Sequence, residues 1–190
     1  MSKIQNVTVF CSSSDHVADH FLQAAGDLGR AIAAQQWGLV YGGNRLGMMA
    51  RVADAVRSGG GRVVGITPRC FVDDGYSDDL CHELIVTPDM RQRKALLEQR
   101  GDAIVVLPGG IGTLEEFFEV LVAKALGQHQ KPLAILNIDD YFAPLAAMID
   151  HSIEKGFVRP RAKTLYSVAT SVHQAISYLQ SCSLTAAEPI

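Results

Sequence analysis

What this sequence lacks narrows it first. No apolar stretch approaches the roughly 20 residues that span a bilayer. Met1-Ser2-Lys3 leads straight into a strand-like segment, without a signal-peptide layout. There is no excess of basic charge: 17 Lys and Arg against 20 Asp and Glu leave a net charge of -3. That argues against a nucleic acid or membrane surface held by bulk electrostatics, so an anionic ligand must be met by local groups. Cys11, Cys70, Cys81 and Cys182 have neither CxxC nor metal-ligand spacing, and His129 and His151 belong to no HxxxH or HxH pair. His129 and His151 read as surface or helix-face residues. The expectation is reduced thiols, no structural metal and a soluble, cytoplasmic protein. Also missing are a GxSxG nucleophile elbow, the GK[ST] ending of a P-loop, a pyridoxal-lysine pattern, internal repeats and low-complexity segments.

What is present is a composition of 48% hydrophobic and 19% charged residues over 190 positions, enough for one full-sized core. Residues 1–180 are expected to form a single domain, with 181–190 a loose tail. Strand-like runs at 6–11, 38–41, 62–67, 83–86, 103–107 and 132–136 alternate with helical patterns at 17–36, 47–57, 89–100, 113–126, 141–155 and 171–180. Residues 69–80, polar and acidic, read as a mobile loop. The strands are continuous apolar runs rather than alternating ones, which marks a parallel sheet buried on both faces. The fold class is α/β: a doubly wound, Rossmann-like parallel sheet with helices on both faces. Ligands of such sheets sit beyond the carboxyl ends of the strands. Four unusual segments fall there: Ser12–Ser14, Gly42–Gly47, Pro88–Lys94 and Pro108–Thr113.

The last of these is the most informative. Pro108-Gly109-Gly110-Ile111-Gly112-Thr113-Leu114-Glu115-Glu116 places three glycines in four positions between a strand and a helix. Such a turn lets backbone N–H groups approach an anion closely, helped by the helix dipole. Thr113 and Glu116 also fit a capping box, so two readings compete for Glu116: it reaches back to the helix start, or it faces the cleft. Asp89-Met90-Arg91-Gln92-Arg93-Lys94 starts a helix capped by Asp89. It crowds three cations into a first turn, where the dipole disfavours them unless an anion or carboxylate lies opposite. Gly42-Gly43-Asn44-Arg45-Leu46-Gly47 is similar to a dinucleotide fingerprint, but its second glycine falls one position early and no acidic residue ends the next strand. It reads equally as a tight turn or as a nucleotide contact.

Together, Tyr41-Gly42-Gly43 with Gly47-Met48-Met49, Met90-Arg91-Gln92-Arg93-Lys94 and Pro108–Glu116 resemble the LOG ("lonely guy") family. Its members are cytokinin riboside 5'-monophosphate phosphoribohydrolases, often mislabelled as lysine decarboxylases. The resemblance runs from the first strand to about Val168 and includes Gly127–Pro132. It implies hydrolysis of the N-glycosidic bond of AMP or a cytokinin riboside 5'-monophosphate, giving free base and ribose 5-phosphate. Arg93 and Glu116 match the family's catalytic arginine and glutamate. Lys94, Gly110, Gly112, Thr113 and Glu115 match substrate-contacting positions, and Gly109, Ile111, Gly42, Gly43 and Ser12 are expected in the same binding site. The resemblance further implies a homodimer with the site near the subunit interface; the chemistry requires no metal or redox cofactor. The chain departs from the family in four places. Asn44 and Arg45 follow Gly42-Gly43 instead of a third glycine, and Cys11 precedes the serines of the first loop. Arg91 replaces a histidine, and Gly75 stands where plant members carry a substrate-contacting glutamate. The base therefore stays open among AMP, another purine or pyrimidine monophosphate, and a specialised nucleotide. A non-catalytic nucleotide or cofactor carrier on the same fold is the alternative reading.

Overall fold

A computed structural model describes residues 4–182. Seven strands alternate with helices: Asn6–Phe10 (β1), Asp19–Ala34 (α1), Gly38–Tyr41 (β2), Gly47–Ser58 (α2), Val63–Pro68 (β3), Arg69–Asp73 (α3), Glu83–Thr87 (β4) and Met90–Arg100 (α4). Then come Ala103–Val106 (β5), Ile111–Ala125 (α5), Leu133–Leu136 (β6), Ala143–Glu154 (α6), Ser167–Ala169 (β7) and Val172–Ser181 (α7). All strand pairs are parallel, in the order β4-β3-β2-β1-β5-β6-β7. The order reverses at β1, between β2 and β5. A doubly wound sheet opens its crevice at such a switch point.

The strand pleat divides the core in two. Val7, Val9, Leu39, Tyr41, Ala103 and Val105 face α1, α2 and α7, where Leu28, Ile32, Met48, Val52 and Leu179 complete one cluster. Phe10, Val40, Ile104 and Val106 face the other way, against Leu97, Phe117, Val120 and Ile149. With both faces covered, the central strands are buried apart from half-buried Asn6 at the start of β1, which is why their sequences do not alternate. Helices α1 and α2 pack closely because Gly29 lies against the Val52 carbonyl; a Cβ there would sit 2.5 Å from that oxygen.

Three expectations need correction. Residues 69–80 are not simply a mobile loop: they form α3, then bring Ser77 and Asp78 into buried positions. Tyr41 donates to the Asp78 carboxylate at 2.6 Å and Arg57 at 2.7 Å. Burial pushes the Asp78 carboxyl up, but these two donors outweigh it and hold it below the ordinary carboxylate value. His129 is buried rather than superficial, its ring held by the Val120 carbonyl and the Lys131 N–H. Burial lowers its pKa, so it is a neutral structural histidine. The seventh strand was missed because three residues, Ser-Val-Ala, carry no apolar run to read. The loose tail expected beyond residue 180 lies outside the described residues from 183 onward. No helix among the described residues is long and apolar enough to cross a membrane.

Candidate active site

The four unusual segments meet at the carboxyl edge of the sheet. The Ser12 N–H donates to the Pro108 carbonyl at 3.2 Å, and the Ser12 carbonyl accepts from Met49 N–H at 3.2 Å. The loop after β1 is thereby tied to the turn after β5 and to the start of α2. Gly47, at φ 57°, rests against the backbone of Ser13 and Ser14, while its N–H is held by Asp15 at 2.7 Å. The Ser12 hydroxyl accepts from Ser14 N–H, shaping its own loop.

Asp89 caps α4 through its carboxylate on the Gln92 N–H at 2.8 Å, as the sequence implied. That start fixes which residues face inward one turn later: Arg93 and Leu97 are the buried residues of an otherwise polar helix. Arg93 is 4% exposed and Glu116, on α5, 6%. Their side chains meet at 2.8 Å, Arg93 Nη1 donating to Glu116 Oε1, and Arg93 Nε donates to the Ile66 carbonyl at 3.1 Å. The remaining nitrogen, Nη2, lies against Gly42: a Cβ there would come within 2.3 Å of it. The guanidinium is thus set by the ends of β2 and β3 and by α5. This gives Gly42 a concrete reason to be glycine.

The structure decides between the two readings of Glu116. Helix α5 begins at Ile111 with Gly110 as N-cap and no side-chain capping bond, and Glu116 points to Arg93 instead of back to a cap. Thr113 is therefore not the N-cap but lies inside the first turn, buried, with its hydroxyl against Gly109. The expected capping box does not form because the helix starts two residues earlier. Burial pushes the Glu116 carboxyl above the ordinary glutamate value; Arg93 offsets part of that push and Glu115 adds to it. Cys11, at the end of β1, is buried close enough to feel the pair: burial first, then the Glu116 charge, drives its thiol pKa up, so it stays protonated.

Of the three glycines, Gly109 has Thr113 against it, whereas a Cβ at Gly110 or Gly112 would meet no other atom of the protein within 4 Å. Neither has a positive φ, so the chain's own packing gives no reason for glycine at either position. Close approach of a ligand to bare backbone does. The first N–H groups of α5 have no partner within the helix and no capping side chain, and they project from an exposed segment that includes Ile111.

Lys94 and Glu115 pair with each other beside the Arg93–Glu116 pair. The Lys94 ammonium bridges Glu115 at 2.6 Å and Glu119 at 3.1 Å, an arrangement that joins α4 to α5 and raises the lysine's pKa. Two of the three cations at the start of α4, Arg93 and Lys94, do face carboxylates, and those carboxylates belong to α5. Gly43, at φ 68°, packs on Ile66 and Thr67, and its carbonyl accepts the Asp78 N–H at 2.8 Å. Sequence reasoning passed over Tyr141, whose hydroxyl donates to the Gly109 carbonyl at 2.6 Å; no local motif links positions 32 residues apart. Larger concavities lie elsewhere: about 870 Å³ in the open groove between α1 and α2, and about 650 Å³ by the amino ends of β1 and β2. Neither holds the buried ion pair.

A family model described as "Possible lysine decarboxylase" matches residues 49–179. The cytokinin riboside 5'-monophosphate phosphoribohydrolase of Rhodococcoides fascians is 42% identical over 179 residues, covering 93% of this chain and 90% of its own. A protein of Oryza sativa subsp. japonica, described as a probable cytokinin riboside 5'-monophosphate phosphoribohydrolase, is 39% identical, covering 94% and 73%. Among solved structures, a molybdenum cofactor binding protein from Rippkaea orientalis shares the fold, with a TM-score of 0.71 at 24% identity over 95% of this chain and 98% of its own. The molybdenum cofactor carrier protein of Chlamydomonas reinhardtii has a TM-score of 0.70 at 25% identity, covering 92% and 95%.

Proposed function

The chain belongs to the LOG family of cytokinin riboside 5'-monophosphate phosphoribohydrolases, and on that footing we propose that it hydrolyses the N-glycosidic bond of AMP or a cytokinin riboside 5'-monophosphate. The observation that carries this reading is the buried Arg93–Glu116 pair held against Gly42 at the carboxyl edge of the sheet. A carrier has no use for a desolvated carboxylate aligned in this way.

The 5'-phosphate is taken by N–H groups of Gly110, Ile111, Gly112 and Thr113, with Ser12 beside them. The ribose then lies toward Glu116. As the C1'–N9 bond breaks, positive charge builds on the sugar, and an anionic carboxylate opposite stabilises it. Arg93 occupies Glu116 Oε1, and among the described residues no hydrogen bond takes Oε2. That oxygen is the one to orient water or a ribose hydroxyl. Water adds its oxygen to C1', and the base departs with the bonding pair and a proton. Arg93, Glu116 and the glycine turn, which carry these roles, all lie on this chain. The description of the family model does not fit its lysines. Carboxylates raise the pKa of Lys94, whereas an imine-forming lysine needs it lowered. Burial does lower the pKa of Lys124 and Lys131, but their ammonium groups are engaged by the carbonyls of Lys131 and Glu98 respectively.

The test is chromatographic: purified protein incubated with a panel of nucleoside monophosphates should release base and ribose 5-phosphate. Adenosine should be turned over at least about 100-fold less efficiently than AMP, since it lacks the charge-assisted phosphate contacts. Tight binding of a phosphorylated ligand without turnover of any monophosphate would point to the carrier instead.

The homodimer is part of the same proposal. Phe118 and Val122 on α5 and Leu126 at its C-cap recur every fourth residue and are all exposed, with Met90 also exposed at the start of α4. An apolar stripe on the helix that bears Glu116 would put a second copy beside the site. Sedimentation should find two chains per particle. Val122→Asp should weaken association by about 100-fold or more, since a buried unpaired charge costs several kcal/mol; an unchanged dimer would assign the interface to another face.

A further inference from the structure

We propose that Tyr141 is a positioning residue for the phosphate cradle, acting through the Gly109–Gly110 peptide; this rests on the reading that the N–H groups at Gly110–Thr113 take the phosphate. The Tyr141 hydroxyl donates to the Gly109 carbonyl at 2.6 Å. A trans peptide is planar, with its carbonyl and N–H pointing opposite ways. Fixing the Gly109 carbonyl therefore fixes the direction of the Gly110 N–H. Glycine on both sides of that peptide leaves its orientation weakly specified by the chain itself. An outside hydrogen bond is the natural means of setting it.

The surroundings of Tyr141 are built to hold it there. Asp139 and Asp140 lie at φ 52° and 53°, consecutive left-handed conformations that side-chain-bearing residues rarely adopt. Asn137 braces this turn, its Oδ1 accepting the Phe142 N–H at 2.7 Å and its Nδ2 donating to Asp140 at 3.2 Å. Its own N–H is anchored to the Ala169 carbonyl on β7. The Tyr141 ring meets Phe21 edge-on, with centroids 6.0 Å apart, and Phe142 at 5.0 Å. A strained turn after β6 and two aromatic contacts thus deliver one hydroxyl to one carbonyl of the glycine turn. Tyr141 also links α1, through Phe21, to the mouth of the site.

Tyr141→Phe keeps the ring and removes the hydroxyl. With full-length protein, KM for AMP and the inhibition constant of inorganic phosphate should both rise roughly five- to tenfold, the loss of one hydrogen bond. The turnover number should stay within about twofold, and the low efficiency on adenosine should not change. A merely structural role would lower turnover on AMP and adenosine alike and depress the melting temperature. That result, or an unchanged KM and phosphate constant, overturns the proposal. If the wild-type protein hydrolyses no monophosphate, the proposed function fails, yet calorimetric affinity for inorganic phosphate still decides this point. Weaker binding by Tyr141→Phe supports it. Equal binding, or no phosphate binding by either protein, overturns it.

Discussion

Glu116→Gln is expected to lower kcat/KM on AMP by about a thousandfold or more, while shifting the melting temperature by no more than roughly 4 °C either way. The two halves have one cause. Burial disfavours the charged form of Glu116 more strongly than Arg93 favours it, so its pKa is raised in the fold. Protonation of such a group favours the folded state. Its contribution is fully present below the ordinary glutamate value and is lost as pH rises through the raised folded value. At neutral pH the ionised carboxylate is thus held at a cost in stability, which glutamine removes; against this, glutamine leaves the buried Arg93 guanidinium with a neutral acceptor and no counter-charge. Glutamine keeps the volume and a carbonyl to accept Arg93 Nη1, so the packing around 6% exposed Glu116 is not disturbed. What it loses is the negative charge needed as the sugar becomes cationic. In the wild-type protein the acid limb of kcat/KM should fall above the ordinary glutamate range, because catalysis needs the anion that burial makes harder to form. The titrating carboxylate faces Arg93, Glu115, Lys94 and the neutral thiol of Cys11. A glutamine variant with full turnover, or one that melts well below the wild type, contradicts the argument. The substitution separates function from stability, as expected where a site holds a group the fold would prefer to neutralise.

How far such a site can be read in advance depends on the range of the contacts that build it. The Asp89 cap and the α4 start are local, three residues apart, and the sequence displays them in full. Continuous apolar strands follow from burial on both faces, so six of the seven were legible, with ends displaced by a residue or so. Thr113 shows where local reading misleads. Thr-x-x-Glu is a helix-start pattern, but the glycines before it are loose enough to enter the helix, and a cation on another element competes for the carboxylate. A buried arginine outweighs a solvent-facing backbone N–H as a partner for Glu116. The bond from Arg93 to the Ile66 carbonyl, the clamp of Tyr41 and Arg57 on Asp78, and the bond from Tyr141 to Gly109 join residues 27, 37, 21 and 32 positions apart. Nothing in a sequence window carries such pairings; they arise once the strand order brings the loops to one edge. Lys94 illustrates the converse. Its position matched a substrate contact by motif, and the fold gives its ammonium to two carboxylates of α5.

Arg93→Ala should be the most damaging single change, removing activity and about 3–5 kcal/mol of stability, which for a chain of this size lowers the melting temperature by roughly 6–20 °C. Deleting the guanidinium leaves a desolvated carboxylate without its cation, strips the Ile66 carbonyl of its Nε donor and opens space against Gly42. The carboxylate has one escape, to take up a proton. Its pKa then climbs further, and whatever activity survives should appear only at higher pH than in the wild type. Arg93→Lys keeps the charge but not the fork that reaches Ile66 and Glu116 together, so it should restore stability in part and little of the turnover. The pairing itself is read by a double-mutant cycle. If the cost of Arg93→Ala is mainly an orphaned charge, adding Glu116→Gln should recover a substantial share of it, giving a coupling of about 1–3 kcal/mol. Simple additivity would mean that Arg93 supports the fold by filling space, and that Glu116 draws its orientation from elsewhere on α5.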